Sequence, residues 1–254
     1  MAEAVALITG AGGGLGSAMA VALARQNVAI VGTGRRQEPL ETLAARLDGS
    51  EVAILAQDMT QRDAPAEAVD FAIRRFGRLD FLINNAGPGY PKSTIDTTDE
   101  ILDLFIDGHL RAPFRFAREV YPRMTEGGCI VNISSIAALR GRAGMGIYAA
   151  VKAAQIGLTQ QLATEFAPRR IRCNAIAPGV IATDMSAGRM DDPRFRRLMI
   201  ETVPSTPPVG RPEDIGAAVA YLCSAAARFV NGHVLVVDGG WSTTHFLTED
   251  ALTR

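Results

Sequence analysis

The sequence contains few of the residues that bind metals or form disulfides. Its three cysteines are far apart and form no C-x-x-C pair, so we expect reduced thiols in apolar segments. Its three histidines form no H-x-x-x-H pair, so the sequence predicts no metal site. Lysine is also scarce. Of 26 basic residues only Lys92 and Lys152 are lysines, which makes a lysine within a motif informative.

The sequence also lacks a long apolar run and a surplus of positive charge. No apolar run reaches the roughly 18 residues of a membrane span, and the start, Met1–Ala4, has no basic segment typical of a signal peptide. The formal net charge is −1, whereas binding nucleic-acid phosphates needs a clear basic surplus. With 48% hydrophobic residues the chain can bury a core. We expect a soluble cytoplasmic protein without membrane or nucleic-acid partners.

Short apolar runs alternate with helical patterns along the chain. Continuous apolar runs are typical of strands covered on both faces, and repeated strand–helix–strand units form parallel sheets. No linker or repeat divides the sequence, which predicts a single α/β domain over residues 1–254. The predicted strands are Val5–Thr9, Val28–Gly32, Val52–Ala56, Phe81–Ile83, Cys129–Ser134, Ile171–Ile176 and Val234–Asp238.

The longest segment outside this alternation is residues 183–210, which contains four prolines around a short predicted helix, Arg194–Glu201. Long connections in compact domains are often functional lids. This one follows the sixth strand, at the edge of the sheet where ligands bind in such folds. We therefore expect a substrate lid, with a functionless surface excursion as the alternative.

A glycine-rich turn follows the first predicted strand. Its spacing fits neither G-x-G-x-x-G nor the P-loop pattern, but it fits T-G-x-x-x-G-x-G from Thr9 to Gly16. Glycines allow the backbone to approach a pyrophosphate closely, and a helix N-terminus attracts it. A simple tight turn is the alternative. The predicted cofactor-binding positions here are Gly10, Gly12, Gly13, Gly14, Leu15 and Gly16.

The ends of the next three strands supply further candidate cofactor contacts. Arg35 and Arg36 end the second strand, where an acid favours NAD and an arginine favours the 2′-phosphate of NADP. The sequence therefore favours NADP and leaves NAD as an option. Solvated surface charges are the alternative for both arginines. The candidates after the third and fourth strands are Asp58, Met59, Asn85, Ala86 and Gly87.

A tyrosine and a lysine stand four residues apart in a predicted helix, Ile147–Phe166, which puts Tyr148 and Lys152 on one helix face. A nearby ammonium lowers the pKa of an acid, so Lys152 is expected to bring the tyrosine hydroxyl, ordinarily at about 10, toward the range of a base. Ser135 follows the fifth strand and could bind the same substrate oxygen. No G-x-S-x-G sequence is present, which argues against a hydrolase.

Together these motifs resemble those of the short-chain dehydrogenase/reductase family over essentially the whole chain. The resemblance rests on Thr9–Gly16, Asn84–Gly87, Ser135, Tyr148-x-x-x-Lys152, Pro178-Gly179 with Ile181 and Thr183, and Val237–Gly240. It implies a Rossmann fold with a seven-stranded parallel sheet, a nicotinamide cofactor, a homotetramer and interconversion of an alcohol and a ketone. Within the family the chain resembles 3-oxoacyl-(acyl carrier protein) reductases and polyol dehydrogenases, which act on small or acyl-carrier-linked carbonyl compounds.

The resemblance also implies residue roles. Tyr148 would be the acid/base, Ser135 would orient the substrate oxygen, and Lys152 would bind the nicotinamide ribose and lower the pKa of the tyrosine. Tyr148 and Lys152 thus also belong to the cofactor site. The remaining implied cofactor contacts are Pro178, Gly179, Ile181 and Thr183, the last two at the carboxamide and pyrophosphate.

One position departs from the family pattern. The family has a catalytic asparagine in the helix before the fifth strand, where it holds a water that relays protons to the lysine. Here that position is His109. Imidazole both donates and accepts hydrogen bonds, so His109 could take the same role. The alternative is a core histidine, because Ile101, Phe105 and His109 share an apolar helical face.

Arginines flank the predicted substrate site. Arg140 and Arg142 precede Tyr148 with no acid between, which suggests a substrate carrying a carboxylate, phosphate, sulfonate or phosphopantetheine group. The lid carries four arginines against four acids, and solvated arginines are the alternative.

The leading function is an NAD(P)-dependent oxidoreductase that resembles 3-oxoacyl reductases. A sugar or polyol dehydrogenase, and a catalytically silent dinucleotide-binding regulator, are the other candidates.

Overall fold

The computed structural model describes residues 2–89 and 91–244, and one sheet of seven parallel strands forms its centre. The strand order is β3-β2-β1-β4-β5-β6-β7. The strands are β1 (Ala4–Thr9), β2 (Val28–Gly34), β3 (Val52–Ala56), β4 (Phe81–Asn84), β5 (Cys129–Ile133), β6 (Arg172–Pro178) and β7 (Val234–Val237). The predicted seven-stranded parallel sheet of a Rossmann fold is confirmed.

Two strands extend two residues further toward their carboxyl ends than the sequence predicted. β2 continues to Gly34, because Gly34 pairs with Ala56 at the end of β3. β6 continues to Pro178, which pairs with Val237 on β7. Proline has no backbone N–H, and the end of a strand tolerates that loss. Both extensions lengthen the sheet at the edge that carries the predicted cofactor residues.

Helices flank the sheet in regular alternation with the strands. They are α1 (Gly14–Ala24), α2 (Gln37–Arg46), α3 (Ala64–Phe76), α4 (Asp99–Ile106), α5 (Ala112–Val120), α6 (Gly146–Glu165), α7 (Asp184–Met190), α8 (Pro193–Met199) and α9 (Pro212–Cys223). A π-helical turn, Asp107–Arg111, joins α4 to α5. In the part of the chain that the structure describes, no helix combines the length and apolar character needed to cross a membrane.

Apolar side chains fill both sides of the sheet. On β1, Leu7 packs into one cluster and the adjacent Ile8 into the other, since successive strand residues point to opposite faces. The first cluster includes Phe116 of α5, and the second includes Leu23 of α1 and Ile215 of α9. Burying one such side chain stabilises the fold by about 1.5–3 kcal/mol. These two clusters hold α1 and α6, which carry the predicted site, against the strand ends.

A glycine allows α9 to pack closely on α1. A Cβ at Gly216 would lie 2.7 Å from the carbonyl oxygen of Ala18, closer than real Cβ atoms come to a neighbouring atom. The close packing fixes the position of α1, whose first residue is Gly14 of the glycine turn.

A chain of buried polar side chains connects β4, β5 and α6. Asn84 Nδ2 donates to Asn132 Oδ1 over 2.8 Å, and Asn132 Nδ2 donates to Thr159 Oγ1 over 2.9 Å. Thr159 Oγ1 in turn donates to the carbonyl of Gln155 over 2.7 Å. All four residues are buried. Because an unpaired buried polar group costs about 1–3 kcal/mol, this chain fixes the register of α6 against the two strands.

We predict that Thr159→Val lowers the free energy of unfolding by about 1–3 kcal/mol, because the amide of Asn132 then loses its buried acceptor. Thr164→Val is the matched control. Thr164 lies on the same helix and donates to the carbonyl of Gln160, but it is exposed. Urea unfolding measures both variants, and equal losses would contradict a structural role for the polar chain.

Candidate active site

The predicted site residues lie at the carboxyl edge of the sheet. β1 and β4 are neighbours although β2 and β3 separate them in the sequence. At such a switch point the connections leave the sheet toward opposite faces and open a crevice, where doubly wound folds bind ligands. The connections that follow β1, β4, β5 and β6 carry the residues described below.

The turn after β1 has no room for side chains at its key positions. Gly10 has a φ of +66°, a left-handed conformation that favours glycine. A Cβ at Gly16 would overlap with the carbonyl oxygen of Gly10. α1 begins at Gly14, so the unpaired N–H groups and the positive end of its dipole lie at this edge of the sheet. The turn therefore fits the pyrophosphate of a dinucleotide.

Residues after β4 hold the glycine turn in place. Thr9 Oγ1 accepts hydrogen bonds from the backbone N–H groups of Asn85 and Ala86, over 3.0 and 3.1 Å. Asn85 Nδ2 donates to the carbonyls of Thr9 and Gly10, over 2.9 and 3.2 Å. The polar groups of Asn85 thus stabilise the glycine turn through hydrogen bonds. The sequence position of Asn85 alone did not reveal this role.

The structure places the two arginines of the predicted cofactor site beside the glycine turn. Arg35 and Arg36 follow β2 directly, and both are exposed. The turn and the start of α2 are in contact, because a Cβ at Gly12 would lie 2.7 Å from the Cβ of Pro39. Arg35 therefore lies where the adenosine end of a dinucleotide bound at the turn would extend.

Asp58 and Met59 follow β3 at the same edge. Asp58 Oδ1 accepts hydrogen bonds from the backbone N–H and the hydroxyl of Thr60, over 3.0 and 2.8 Å. These bonds occupy one carboxylate oxygen and hold the carboxylate in a defined position. Met59 is buried among the apolar residues of the core.

Tyr148 and Ser135 meet at the end of β5. Ser135 caps the short 3₁₀ turn Ile136–Ala138, and its Oγ accepts a hydrogen bond from the backbone N–H of Ala137 over 3.1 Å. Tyr148 lies in the first turn of α6. Burial raises the pKa of Tyr148 above its ordinary value of 10.0, and a hydrogen bond with Ser135 opposes that effect.

The prediction of a lowered pKa for Tyr148 is therefore wrong. The loss of hydration around the hydroxyl outweighs the groups that favour the tyrosinate. The ammonium of Lys152 lies 5.7 Å from the centroid of the Tyr148 ring, and its charge is not among the causes that shift the pKa of the hydroxyl. Tyr148 is consequently protonated at neutral pH.

Lys152 is almost completely buried, with 3% of its surface exposed. Its Nζ donates to the carbonyl of Ile133 over 2.7 Å and to Gln155 Oε1 over 3.1 Å. Burial lowers the pKa of Lys152 from 10.5 to about 7. An ammonium has three N–H donors, so within the described residues one is left for a further acceptor such as a ribose hydroxyl. The sequence did not predict Gln155, although its i,i+3 spacing from Lys152 was a usable signal.

His109 lies beside Tyr148 within the π-helical turn, and the two ring centroids are 5.6 Å apart. Its Nε2 donates to the carbonyl of Pro88 over 2.9 Å, which leaves Nδ1 as an acceptor. Nδ1 is buried and has no hydrogen-bond partner among the described residues. Burial, and next the charge of Lys152, lower the pKa of His109 from 6.5 to about 3, so the imidazole is neutral.

The π-helical turn was not predicted. Such turns are rare and occur frequently at functional sites, because the extra residue moves side chains out of the regular helical register. Gly87 makes room for the imidazole, since a Cβ at Gly87 would overlap with the His109 ring. The His109 ring is thus buried, and it also lies beside the tyrosine, while its role in a proton relay stays a prediction.

The lid contains two helices, α7 and α8, where the sequence predicted one. α8 starts and ends slightly earlier than the predicted helix. α7 is the additional element, and it begins with a capping box: the backbone N–H of Thr183 donates to Ser186 Oγ over 2.9 Å. The residues Thr183 and Ser186 are a recognisable start signal for a helix, so α7 was predictable.

The first part of the lid touches the predicted cofactor site. A Cβ at Gly14 would lie 3.4 Å from Thr183 Cγ2, and a Cβ at Gly89 would lie 2.6 Å from Met185 Sδ. Ile181 is buried and forms an isolated β-bridge with Gly210. The start of this segment therefore packs against both the glycine turn and the residues after β4, and its role as a substrate lid stays a prediction.

The end of β6 completes this side of the site. Gly179 follows Pro178 at the end of the strand, and a Cβ at Gly179 would lie 2.7 Å from the Cα of Asp238. Only a glycine therefore fits at position 179, between β6 and Asp238. From there the chain continues to Ile181 and Thr183.

The predicted substrate arginines differ in their surroundings. Arg140 is exposed, whereas Arg142 is partly buried and its charge acts on Tyr148. Arg189 of α7 also acts on Tyr148. The sequence counted Arg189 only among the balanced charges of residues 183–210, because the sequence does not show that its charge acts on the tyrosine.

Comparisons with known proteins agree with this geometry. The family described as enoyl-(acyl carrier protein) reductase matches residues 10–242. A-factor type gamma-butyrolactone 1′-reductase (1S-forming) of Streptomyces virginiae is 36% identical, over 95% of this chain and 96% of that protein. A 3-oxoacyl-(acyl carrier protein) reductase of Thermotoga maritima is 34% identical, over 93% of this chain and 96% of that protein.

Two solved structures show the same fold with a cofactor bound. The 7α-hydroxysteroid dehydrogenase complexed with NADH and 7-oxo glycochenodeoxycholic acid has a TM-score of 0.89 and 31% identity, over 94% of each chain. A blue fluorescent protein from a metagenomic library, complexed with NADPH, has a TM-score of 0.87 and 31% identity, over 94% of this chain and 98% of its own.

The fold and the site therefore define an oxidoreductase that uses a nicotinamide dinucleotide. The chain belongs to the short-chain dehydrogenase/reductase family, and within it the chain resembles the 3-oxoacyl reductases.

Proposed function

We propose that the protein interconverts a ketone and a secondary alcohol, with Tyr148 as the acid/base and NADPH as the preferred cofactor. The observation that carries this proposal is the cluster at the end of β5, where Ser135 is close enough to Tyr148 to lower its pKa and the buried Lys152 Nζ lies 5.7 Å from the centroid of the Tyr148 ring. Proton transfer to a ketone oxygen needs such a group of donors. A catalytically silent regulator that only bound the dinucleotide would not need this cluster of side chains.

Residues from several connections would hold the dinucleotide, which supplies or accepts the hydride. The glycine turn and Thr183 would contact the pyrophosphate, Ile181 the carboxamide, and the remaining N–H of Lys152 a ribose hydroxyl. The proposed contacts are Gly10, Gly12, Gly13, Gly14, Leu15, Gly16, Arg35, Arg36, Asp58, Met59, Asn85, Ala86, Gly87, Tyr148, Lys152, Pro178, Gly179, Ile181 and Thr183.

The raised pKa of Tyr148 determines whether its hydroxyl donates or accepts a proton at a given pH. During ketone reduction Tyr148 donates its proton to the substrate oxygen, and Ser135 donates a second hydrogen bond. Because the pKa is raised, the hydroxyl stays protonated at neutral pH and is ready to donate. Alcohol oxidation needs the tyrosinate, which becomes populated only as the pH rises toward the pKa. The site therefore favours reduction near neutral pH and oxidation in more alkaline solution.

We place His109 in the path that returns a proton to the site. Its Nδ1 is a buried acceptor with no partner among the described residues, and the charge of Lys152 reaches the ring. A water that donates a hydrogen bond to Nδ1 would satisfy this buried acceptor. This arrangement would replace the water-holding asparagine of the family by a neutral imidazole.

The preference for NADPH rests on the end of β2. Arg35 is the first residue after the strand and is exposed, so its guanidinium can reach a 2′-phosphate beside the glycine turn. Gly34 stands at the last position of β2, where an acidic residue would favour NAD instead.

We further propose that residues 1–254 act as one domain within a cytoplasmic homotetramer. Phe114 and Phe229 support the assembly, because they expose 52% and 94% of their surfaces and a subunit interface would cover such large apolar groups. The three cysteines are free and buried, which suits a reducing compartment. The resemblance to 3-oxoacyl reductases favours a 3-oxoacyl compound or a small ketone as the substrate.

Tyr148→Phe should lower kcat for ketone reduction by about 10²–10⁴-fold, because the substrate oxygen loses its proton donor. NADPH affinity, measured by fluorescence titration, should change little. Tyr121→Phe is the matched control, because Tyr121 packs against Phe166, away from the site. Retention of half of the wild-type kcat in Tyr148→Phe would refute the assignment.

Arg35→Ala should weaken NADPH binding by about 10- to 150-fold, because a charged guanidinium–phosphate contact contributes about 1.5–3 kcal/mol. NADH binding should remain almost unchanged, since NADH has no 2′-phosphate. Arg74→Ala, an exposed arginine at the end of α3, controls for a general loss of positive charge. An equal loss for both cofactors would show that Arg35 does not recognise the phosphate.

His109→Leu should lower kcat by about tenfold or more without a matching change in KM, because the proton path loses its acceptor. His109→Asn restores the amide of the family and should retain most of the activity. Thermal unfolding of both variants separates this role from packing. If His109→Leu keeps the wild-type kcat and only lowers Tm, His109 is a core residue and the relay is refuted.

A further inference from the structure

Three aromatic rings meet at the proposed acid/base. The centroid of the Phe105 ring lies 6.2 Å from that of the Tyr148 ring, and the two ring planes are perpendicular. The centroids of Phe105 and His109 are 5.7 Å apart, and those of His109 and Tyr148 are 5.6 Å apart. Aromatic rings attract each other at such separations, and an edge-to-face arrangement is among the favoured ones. Each ring therefore packs against both of the others.

Phe105 is buried outside the two apolar clusters of the core. In the described part of the chain, Phe105 and Phe116 are the largest side chains that are almost completely shielded from solvent. Phe116 belongs to the first apolar cluster, whereas Phe105 belongs to neither. The ring contacts of Phe105 are with Tyr148 and His109. Its packing therefore links Phe105 to the site rather than to the core of the sheet.

One segment of the chain supplies both aromatic neighbours of Tyr148. Phe105 lies in the last turn of α4, and His109 lies in the π-helical turn that follows. Both are buried, whereas Tyr148 is partly buried. The rings of Phe105 and His109 therefore lie on the side of the tyrosine that faces the protein interior, and the other side is left for a substrate.

We propose that Phe105 is a positioning residue of the site, which holds the Tyr148 ring against His109 and keeps water away from it on the side of α4. The inference rests on the proposed role of Tyr148 as the acid/base and adds a residue that orients it. Proton transfer requires hydrogen-bond distance between the acid and the substrate oxygen, so a small displacement of the acid lowers the rate strongly. A tyrosine ring packed by two other rings has less freedom to move away from that position.

The packing of Phe105 also affects the protonation of Tyr148. Burial is the largest cause that raises the pKa of the tyrosine, and Phe105 is one of the groups that bury its ring. The titratable or charged groups that face Tyr148 are His109 of the π-helical turn, Lys152 of α6, Arg142 before α6 and Arg189 of α7. A substitution of Phe105 removes none of these groups, so a changed pKa of Tyr148 would report the loss of packing.

The experiment compares Phe105→Leu and Phe105→Ala with the same two substitutions at Phe116. Leucine keeps much of the apolar cover but loses the ring contacts, whereas alanine loses both. Phe116 is the matched control, because it is also buried but lies in the first apolar cluster. NMR of protein labelled with ¹³C in the tyrosine rings follows the titration of Tyr148 without any turnover, and Tyr148→Phe assigns the signal. Kinetics with NADPH and thermal unfolding complete the comparison.

We expect the titration midpoint of Tyr148 to fall by about one pH unit or more in Phe105→Ala, because water then reaches the tyrosine. The pH profile of alcohol oxidation should move toward lower pH with it, since the tyrosinate forms more readily. In the same variant kcat for ketone reduction near neutral pH should fall by about tenfold, with little change in the KM for NADPH. Phe105→Leu should show smaller changes in the same directions. Both Phe116 variants should lower Tm and keep the wild-type midpoint and kcat.

A Tyr148 midpoint or a kcat that stays at the wild-type value in Phe105→Ala would overturn the inference while leaving ketone reduction intact. Equal changes in the Phe116 variants would also overturn it, because they would reflect a general loss of packing. If Phe105→Ala does not fold, Phe105→Leu decides by the same two measurements. Absence of turnover for every ketone would contradict the proposed function instead, and the NMR titration would still decide whether Phe105 shields the tyrosine.

Discussion

The buried ammonium of Lys152 is the group around which the rest of the site is arranged. Its Nζ lies between the carbonyl of Ile133 at the end of β5 and the side chain of Gln155 on α6. Ser134 makes a second connection between strand and helix, because its Oγ donates to the carbonyl of Lys152 over 2.8 Å. Removing an ammonium from water is costly, and the pKa of Lys152 falls to about 7 as a result. The fold accepts this cost beside Tyr148, the proposed acid/base.

The protonation states of the groups around Lys152 follow from the same exclusion of water. Burial shifts the two members of the Tyr148–Lys152 pair in opposite directions, so the tyrosine stays protonated while the lysine is close to losing its proton at neutral pH. The imidazole of His109 is neutral because burial and the charge of Lys152 both oppose its protonation. Within the described residues Nδ1 of this neutral imidazole has no hydrogen-bond partner, and the proposed relay requires such an acceptor. Gly87 and the π-helical turn give the ring the space it needs next to the tyrosine.

Local patterns in the sequence predicted most of the fold and the central site residues. Each strand contains a short apolar run, and the four-residue spacing of Tyr148 and Lys152 places them on one helix face. The pKa of Tyr148 could not be predicted in this way, because it depends on how completely the tertiary structure excludes water from the hydroxyl. The effect of Arg189 on the pKa of Tyr148 was missed because it depends on how α7 packs in the tertiary structure. The π-helical turn depends on packing between segments that are far apart in the sequence, namely His109 and the glycine after β4.

The scarcity of lysine allows a direct test of the central claim that Lys152 is buried at the heart of the site. In protein labelled with ¹³C and ¹⁵N only at lysine, NMR should show two side-chain signals, and Lys152→Met assigns them. Lys92 is exposed and supplies the internal reference. We predict that the Lys152 signal titrates with a midpoint near 7, well below that of an ordinary lysine. A Lys152 midpoint close to 10.5 would contradict the burial of the ammonium and the site built around it.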